Sequence, residues 1–292
     1  MHGANIVDGT TSVWIDTGEV RIHTSDWGGS GAQTIVFCHP TGFLGFVWKP
    51  IIDRLRKRGV DARIFTFDAR GHGLSSKPDK GYDWQNFGID LAFVLERLGV
   101  NEALAVGHSA GATAAALAST TAPGRLGRLL LIDPILLEIT AADSQAGADD
   151  NPMAARTRTR RLVWPSRDFL KKNFASRPPY DTWTAEALDA YIDYGTFERP
   201  DGEIELLCPG RIEAQVYASR VAFNAFAMLG QVTVPVHLVA GEKSDSFGGS
   251  RLRRAREILS ESPVLVVAGA SHFIPMEQPD LITDLVVTEL GT

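Results

Sequence analysis

The sequence predicts an α/β protein: a mostly parallel sheet with helices on both faces and a helical block inserted between two strands. Three observations carry this. Strand-like and helix-like segments alternate strictly up to residue 133 and again from about residue 234. The later strands, such as "ALAVG" at 103–107 and "LLLI" at 129–132, are continuously apolar, which is what a strand covered on both faces requires. The chain has 292 residues, 44% of them hydrophobic, enough for one large core with a sizeable insertion.

The elements follow in order. "SVWID" and "EVRIHT" read as strands around a Thr-Gly turn, and "GGSGAQ" breaks the chain before the strand "TIVFCH". That glycine-rich break precedes a strand and not a helix, so it is a turn and not a phosphate loop. A helix is expected from about Trp48 to Arg58, with Gly59 as its C-terminal stop. "RIFTFD" is the next strand and runs into "ARGHGLS". Leu91, Val94, Leu95 and Leu98 share one face of a helix from about Asn86 to Leu98. "ALAVG" is a strand, Ala110 to Ser119 a helix, and "RLLLID" a strand.

The rhythm then breaks. Residues 134–233 hold helical segments, clearest at "TAEALDAYIDYG" and "RIEAQVYASRVAFNAFAML", and no convincing buried strand. Alternation resumes with "VPVHLVAG", a helix around Arg251 to Leu259, the strand "PVLVVAG" and a helix near Leu281 to Leu290. The expected organisation is a core in two parts, 1–133 and 234–292, with 134–233 as a helical lid.

Composition narrows the function. Lys and Arg number 29 against 35 Asp and Glu, a net charge of −6, so a nucleic-acid partner is not expected. The two cysteines, Cys38 and Cys208, suggest neither a disulfide framework nor a zinc site. No metal or cofactor is expected, since no histidine, cysteine or carboxylate cluster has ligand spacing. The opening "MHGANIVDGTTSVWIDTG" has no apolar run of the signal-peptide kind. No window approaches the roughly 18 apolar residues of a membrane span, and a soluble cytoplasmic protein is the expectation.

The chemistry centres on "ALAVGHSAGAT", residues 103–113. A serine hydroxyl needs a neighbouring base and must stand clear of the backbone. A very tight strand-to-helix turn with the serine at its apex meets the second need, and it admits only small residues two before and two after. Gly107 and Gly111 occupy those positions around Ser109. With 28 glycines in the chain the bare pattern is weak; the preceding apolar strand and the following helix are what make it a nucleophile candidate. The base is expected at His272, after the strand "VLVVAG" and before the last helix, at the edge where open parallel sheets carry their sites. Of the seven histidines, His108 lies inside the turn and would point elsewhere. His39 and His72 suit loop organisation, and His2, His23 and His237 lie at a terminus or in strands. The acid is expected between them, at Asp245 in "HLVAGEKSDSF", completing the chain order serine, acid, histidine.

Together, "GHSAG", "DARGHGLSSKP", "GEKSDSF" and "GASHFIPMEQPD" resemble the α/β-hydrolase superfamily over essentially the whole length. The resemblance implies an α/β-hydrolase fold and an oxyanion hole of two backbone N–H groups. One is that of Ala110. The other lies in "CHPTGF", where proline replaces the family's usual glycine and has no N–H to give. Thr41 is the matching donor, with Gly42 and Phe43 as fallbacks. The commonest acid position in the family, three residues after the strand's last glycine, is Ser244 here. Asp245 lies one further, in a G-x-x-S-D form that resembles a recurring variant. Glu242 follows Gly241 too directly to be a strong rival. Asp133 is the stronger one, since some members carry the acid at the end of the strand it closes.

The expected activity is a serine hydrolase acting on carboxylic esters of small to medium apolar substrates through an acyl-enzyme. A lactonase, a carbon–carbon bond hydrolase or a triad-retaining small-molecule receptor are the alternatives; "HPTGF" does not match the glycine-rich oxyanion loop usual in the carbon–carbon enzymes. An apolar pocket is expected from Phe43, Leu44, Phe46 and Trp48, with Trp164, Tyr217 and Phe273. The basic run "RTRTRR", 156–161, could bind a substrate carboxylate, but a solvated face of a lid helix is the preferred expectation.

Overall fold

The computed structural model describes residues 4–137, 151–219 and 223–291. Eleven strands and eleven α-helices follow along these residues. β1 (Thr11–Asp16), β2 (Arg21–Asp26), β3 (Thr34–Cys38), β4 (Arg63–Phe67), β5 (Ala103–His108), β6 (Leu126–Ile132), β10 (Val236–Gly241) and β11 (Val264–Val267) form one sheet. Its order is β1-β2-β4-β3-β5-β6-β10-β11. The pairs β1/β2 and β2/β4 are antiparallel, and every pairing from β4 onward is parallel. This is the predicted α/β architecture.

Each central strand feeds both faces. Val36, Ala105, Leu129 and Leu131 join one apolar cluster, while Ile35, Phe37, Leu104, Val106, Leu130 and Ile132 join the other. That is why these strands carry no polar alternation. α1 (Lys49–Lys57) and α11 (Pro279–Gly291) supply Ile51, Ile52, Ile282 and Val286 to the second cluster. α2 (Trp84–Arg97), α3 (Ala110–Thr121) and α9 (Gly249–Ile258) cover the first. The alanines of α3 are explained by proximity: Ala112, Ala115, Ala116 and Ala118 are fully buried, and α2 lies so close that a Cβ on Gly88 would meet Leu117 at 2.5 Å.

Between β6 and β10 lie α4 (Pro152–Arg158), β7 (Val163–Trp164), α5 (Arg167–Ala175), α6 (Ala185–Tyr194), β8 (Thr196–Glu198), β9 (Ile204–Leu206), α7 (Gly210–Ser219) and α8 (Ala225–Leu229). The segment is not purely helical, as expected from its sequence, because β7, β9 and β8 make a small antiparallel sheet. These strands are two or three residues long, too short to show an alternation. The stretch 211–229 read as continuous helix is α7 and α8; residues 220–222, like 138–150 of the expected lid, lie outside the described residues. α8 does not reach over the sheet edge: Phe226 and Leu229 pack with α3 in the first core cluster. α4 packs along α7, which the Trp84 indole ties to the core by donating to the Val216 carbonyl at 2.9 Å. Among the described residues no helix is long and apolar enough to cross a membrane.

Candidate active site

The parallel strands deliver their C-terminal ends to one edge, and the site residues stand there. β5 and β6 pair flush, His108 opposite Ile132, so the next residue of each, Ser109 and Asp133, comes off the edge side by side. Both have left-handed backbones, φ 56° at Ser109 and φ 44° at Asp133, a strained conformation for residues with a Cβ. The turn at Ser109 is as tight as expected. A Cβ on Gly107 would lie 2.5 Å from Ala112 Cα, and one on Gly111 would lie 2.3 Å from the Cys38 carbonyl oxygen. Only glycine fits either position.

His272 reaches Ser109 from the loop after β11. Its Nε2 lies 3.0 Å from Ser109 Oγ, and its Nδ1 lies 2.6 Å from Asp133 Oδ1. With Nδ1–H donating to the carboxylate, Nε2 is left to accept from the serine hydroxyl. Asp133 is fully buried. Besides His272 it accepts from Ser244 Oγ at 2.6 Å and from the Gly241 amide at 2.9 Å. Those donors take the place of solvent around a buried carboxylate.

Asp245, the expected acid, is therefore corrected by the geometry. It is exposed, lines the cavity, and accepts from the neighbouring Ser246 hydroxyl at 3.0 Å. The partner of His272 is Asp133, the rival residue. Ser244 occupies the usual acid position after β10, and it supports the carboxylate of β6 instead of supplying one.

The histidine loop is braced from both sides. Ser271 donates its amide and hydroxyl to Glu277 at the end of the short helix α10 (Ile274–Glu277), at 2.9 and 2.5 Å. His108 Nε2 donates to the His272 carbonyl at 2.8 Å. His108 thus points away from the serine, as expected, yet holds the backbone of the base. Burial, and then the nearby His272 charge, push its imidazole well below the ordinary histidine range, so it stays neutral. His39 organises a loop: it donates to the Pro40 carbonyl and accepts from the Ala69 amide.

Thr41 is buried and lines the cavity beside Ser109. Neither its N–H nor that of Ala110 takes part in a backbone hydrogen bond among the described residues, whereas Phe43 N–H donates to the Pro40 carbonyl and drops out as a fallback. Gly42 has φ +89°, and a Cβ there would meet Glu213 Oε1 at 2.8 Å. The loop thus needs glycine at this point.

A cavity of about 870 Å³ opens over Ser109 and His272. Four expected pocket residues, Phe43, Trp164, Tyr217 and Phe273, line it. Leu44, Phe46 and Trp48 do not. They are core residues, at most 1% exposed, because the chain turns at Gly45–Trp48 and drives their side chains down towards the sheet, with Trp48 against Phe37. In the basic run Arg156, Arg158 and Arg161 are exposed, as a solvated face would have them, and Arg156, Arg160 and Arg161 also line the cavity. Arg160 bonds Glu213 at 2.7 Å and the Tyr191 hydroxyl at 2.6 Å. Burial raises the Glu213 carboxyl above its usual range, with Arg160 opposing.

Comparison with known proteins identifies the family. The profile of the Alpha/beta hydrolase family matches residues 35–285. A 2-(acetamidomethylene)succinate hydrolase of Mesorhizobium japonicum is 26% identical over 268 residues, covering 91% of this chain and 90% of that protein. Epoxide hydrolase A of Mycobacterium tuberculosis is 24% identical over 312 residues, 92% of this chain and 94% of its own. A crystal structure of E-2-(acetamidomethylene)succinate hydrolase shares the fold with a TM-score of 0.82 at 24% identity, over 97% of this chain and all of that one. With the match running from β3 into the last helix and the nucleophile turn built as that fold requires, the chain is a hydrolase of the alpha/beta hydrolase family.

Proposed function

We propose that the protein is a serine hydrolase that cleaves carboxylic esters through an acyl-enzyme on Ser109. The observation that carries this reading is the continuous chain from Ser109 Oγ through His272 to Asp133 Oδ1, at 3.0 and 2.6 Å. His272 Nε2 takes the hydroxyl proton as Oγ attacks the carbonyl carbon. Asp133 holds the Nδ1–H tautomer and stabilises the imidazolium. The free N–H groups of Ala110 and Thr41 are the candidate donors to the oxyanion. His272 then protonates the leaving alcohol, and a water activated by the same imidazole releases the acid. The segment between β6 and β10 acts as the lid that shapes the cavity. We place the enzyme in the cytoplasm, a reading supported by the free, buried thiols of Cys38 and Cys208.

A second reading, amide hydrolysis, uses the same steps with an amine leaving. It is favoured by the whole-length relative whose name carries an acetamido group. A fluorophosphonate probe tests the shared mechanism: it should label the native protein and not Ser109→Ala. Matched 4-nitrophenyl esters and 4-nitroanilides then separate the readings, with faster ester turnover after correction for intrinsic reactivity expected for an esterase.

A further inference from the structure

Resting on that reading, we infer that the cavity holds an anion subsite, formed by Arg156, Arg161 and Arg177, for a carboxylate or phosphate on the substrate remote from the scissile carbonyl. All three arginines line the same cavity as Ser109 and His272. The cavity's fourth arginine, Arg160, is neutralised internally by Glu213. The three others form no ion pair with any carboxylate of the described residues. Among the described residues, four arginines of the wall face two carboxylates, Glu213 and Asp245. The cavity wall is therefore cationic even though the protein carries a net charge of −6.

The arrangement of two of these cations is the stronger observation. The Arg161 guanidinium lies 4.5 Å from the Trp164 ring centroid, and the Arg177 guanidinium lies 5.9 Å from the same centroid. Trp164 is 3% exposed, so it is a fixed platform. Arg161 donates Nε to the Val163 carbonyl at 2.7 Å, which orients the fork and leaves its terminal nitrogens free. Arg177 also packs against Phe174, 5.4 Å from that ring. Two like charges gathered on one indole repel. An anion between them relieves that repulsion, and planar guanidinium forks suit the oxygen pairs of carboxylate and phosphate. Arg156, Arg161 and Arg177 are exposed at the cavity wall, so an incoming anion reaches them directly, and contact with the ring faces favours the cationic forks where they stand.

The subsite predicts a specificity. An ester with a free carboxylate on the acyl chain should exceed its neutral isostere in kcat/KM by at least tenfold at low salt. The test compares mono-4-nitrophenyl esters of C4 to C8 dicarboxylic acids with the matched fatty-acid esters. The anionic-to-neutral ratio should fall at least tenfold in Arg161→Gln/Arg177→Gln, chiefly through KM, and recover in part in the double lysine variant. Calorimetric titration of the native protein with glutarate and with inorganic phosphate identifies the preferred anion. Binding of either that is lost in the double glutamine variant supports the subsite. A ratio near one in the native protein, or an unchanged ratio in the variant, overturns it. Fluorophosphonate labelling of Ser109 in the same samples keeps the two readings apart. Labelling without anion preference removes only the subsite, and anion binding without labelling removes only the serine mechanism.

Discussion

The sheet edge and the segment that covers it are built on opposite principles. At the edge, positions are set by the backbone. Ser109 and Asp133 come off the edge side by side because β5 and β6 pair flush, both with positive φ, and the turn at Ser109 leaves no space for a Cβ at Gly107 or Gly111. In the covering segment, positions are set by side chains. Trp164, Arg161, Arg177 and Phe174 meet through ring and cation contacts from short elements. On the proposed reading, the difference teaches that the edge sets which bond chemistry is possible, and the cover decides which molecules receive it. Changes at the edge should therefore lower all turnover alike, and changes in the cover should reorder substrates.

The sharpest break is Ser109→Ala. It should lower kcat by about 10⁶-fold, leaving a residue roughly 10³-fold above water from oxyanion and binding effects. Steady-state kinetics on any accepted ester reads this, and a loss that varied strongly between esters would blur the division. Ser244→Ala comes next. It removes a donor from the buried Asp133 carboxylate, and hydrogen bonds to charged groups contribute about 1.5–3 kcal/mol. A fall in kcat of about 10- to 100-fold is expected, equal across substrates. Trp164→Ala should do the reverse. Each methylene matched to an apolar wall gives about 1 kcal/mol of discrimination, so its effect is a graded change in kcat/KM between short and long acyl esters. An unchanged acyl-length profile would remove the cover as the selector.

The smallest effects concern pH. His39, His72 and His108 are buried at the edge, and burial lowers all three, His72 to about 3. Below the unfolded value of about 6.5 the unfolded chain binds a proton at each that the folded chain does not. Stability is thus fully present above pH 6.5 and declines as pH falls, by about 1.4 kcal/mol per pH unit for each histidine, until the folded site titrates. For His72 that window runs from about 6.5 to about 3. Urea unfolding between pH 7 and pH 5 measures the slope, and His72→Gln should reduce it by one proton's worth.

The same division explains what could be read from sequence. The edge was legible where a backbone need selects a residue type: Gly107 and Gly111 marked Ser109, and an apolar strand followed by Gly-Ala-Ser marked His272. The acid was harder, because an aspartate follows both β6, directly at Asp133, and β10, four residues on at Asp245. The available signal was Ser244 at the position where an acid is usual, a donor that makes sense only if the carboxylate comes from elsewhere. The pocket was legible only in part. Phe43 faces the cavity and Leu44 does not, and that depends on a turn at Gly45–Trp48 that leaves no periodic trace. The roles of Arg161 and Arg177 depend on a shared contact with Trp164, 3 and 13 residues away in the chain, which sequence spacing does not reveal.

The central claim is that chemistry runs through Ser109, His272 and Asp133, and the most direct test is the pair Asp133→Asn and Asp245→Asn. Loss of the acid in a Ser-His-Asp triad lowers kcat by about 10⁴-fold, because the imidazole takes the wrong tautomer. Measured on one ester, with folding checked by circular dichroism, Asp133→Asn should show a loss of that order, and Asp245→Asn should stay within a few-fold of the native protein. Near-native kcat in Asp133→Asn with a crippled Asp245→Asn would contradict the account and place the acid after β10.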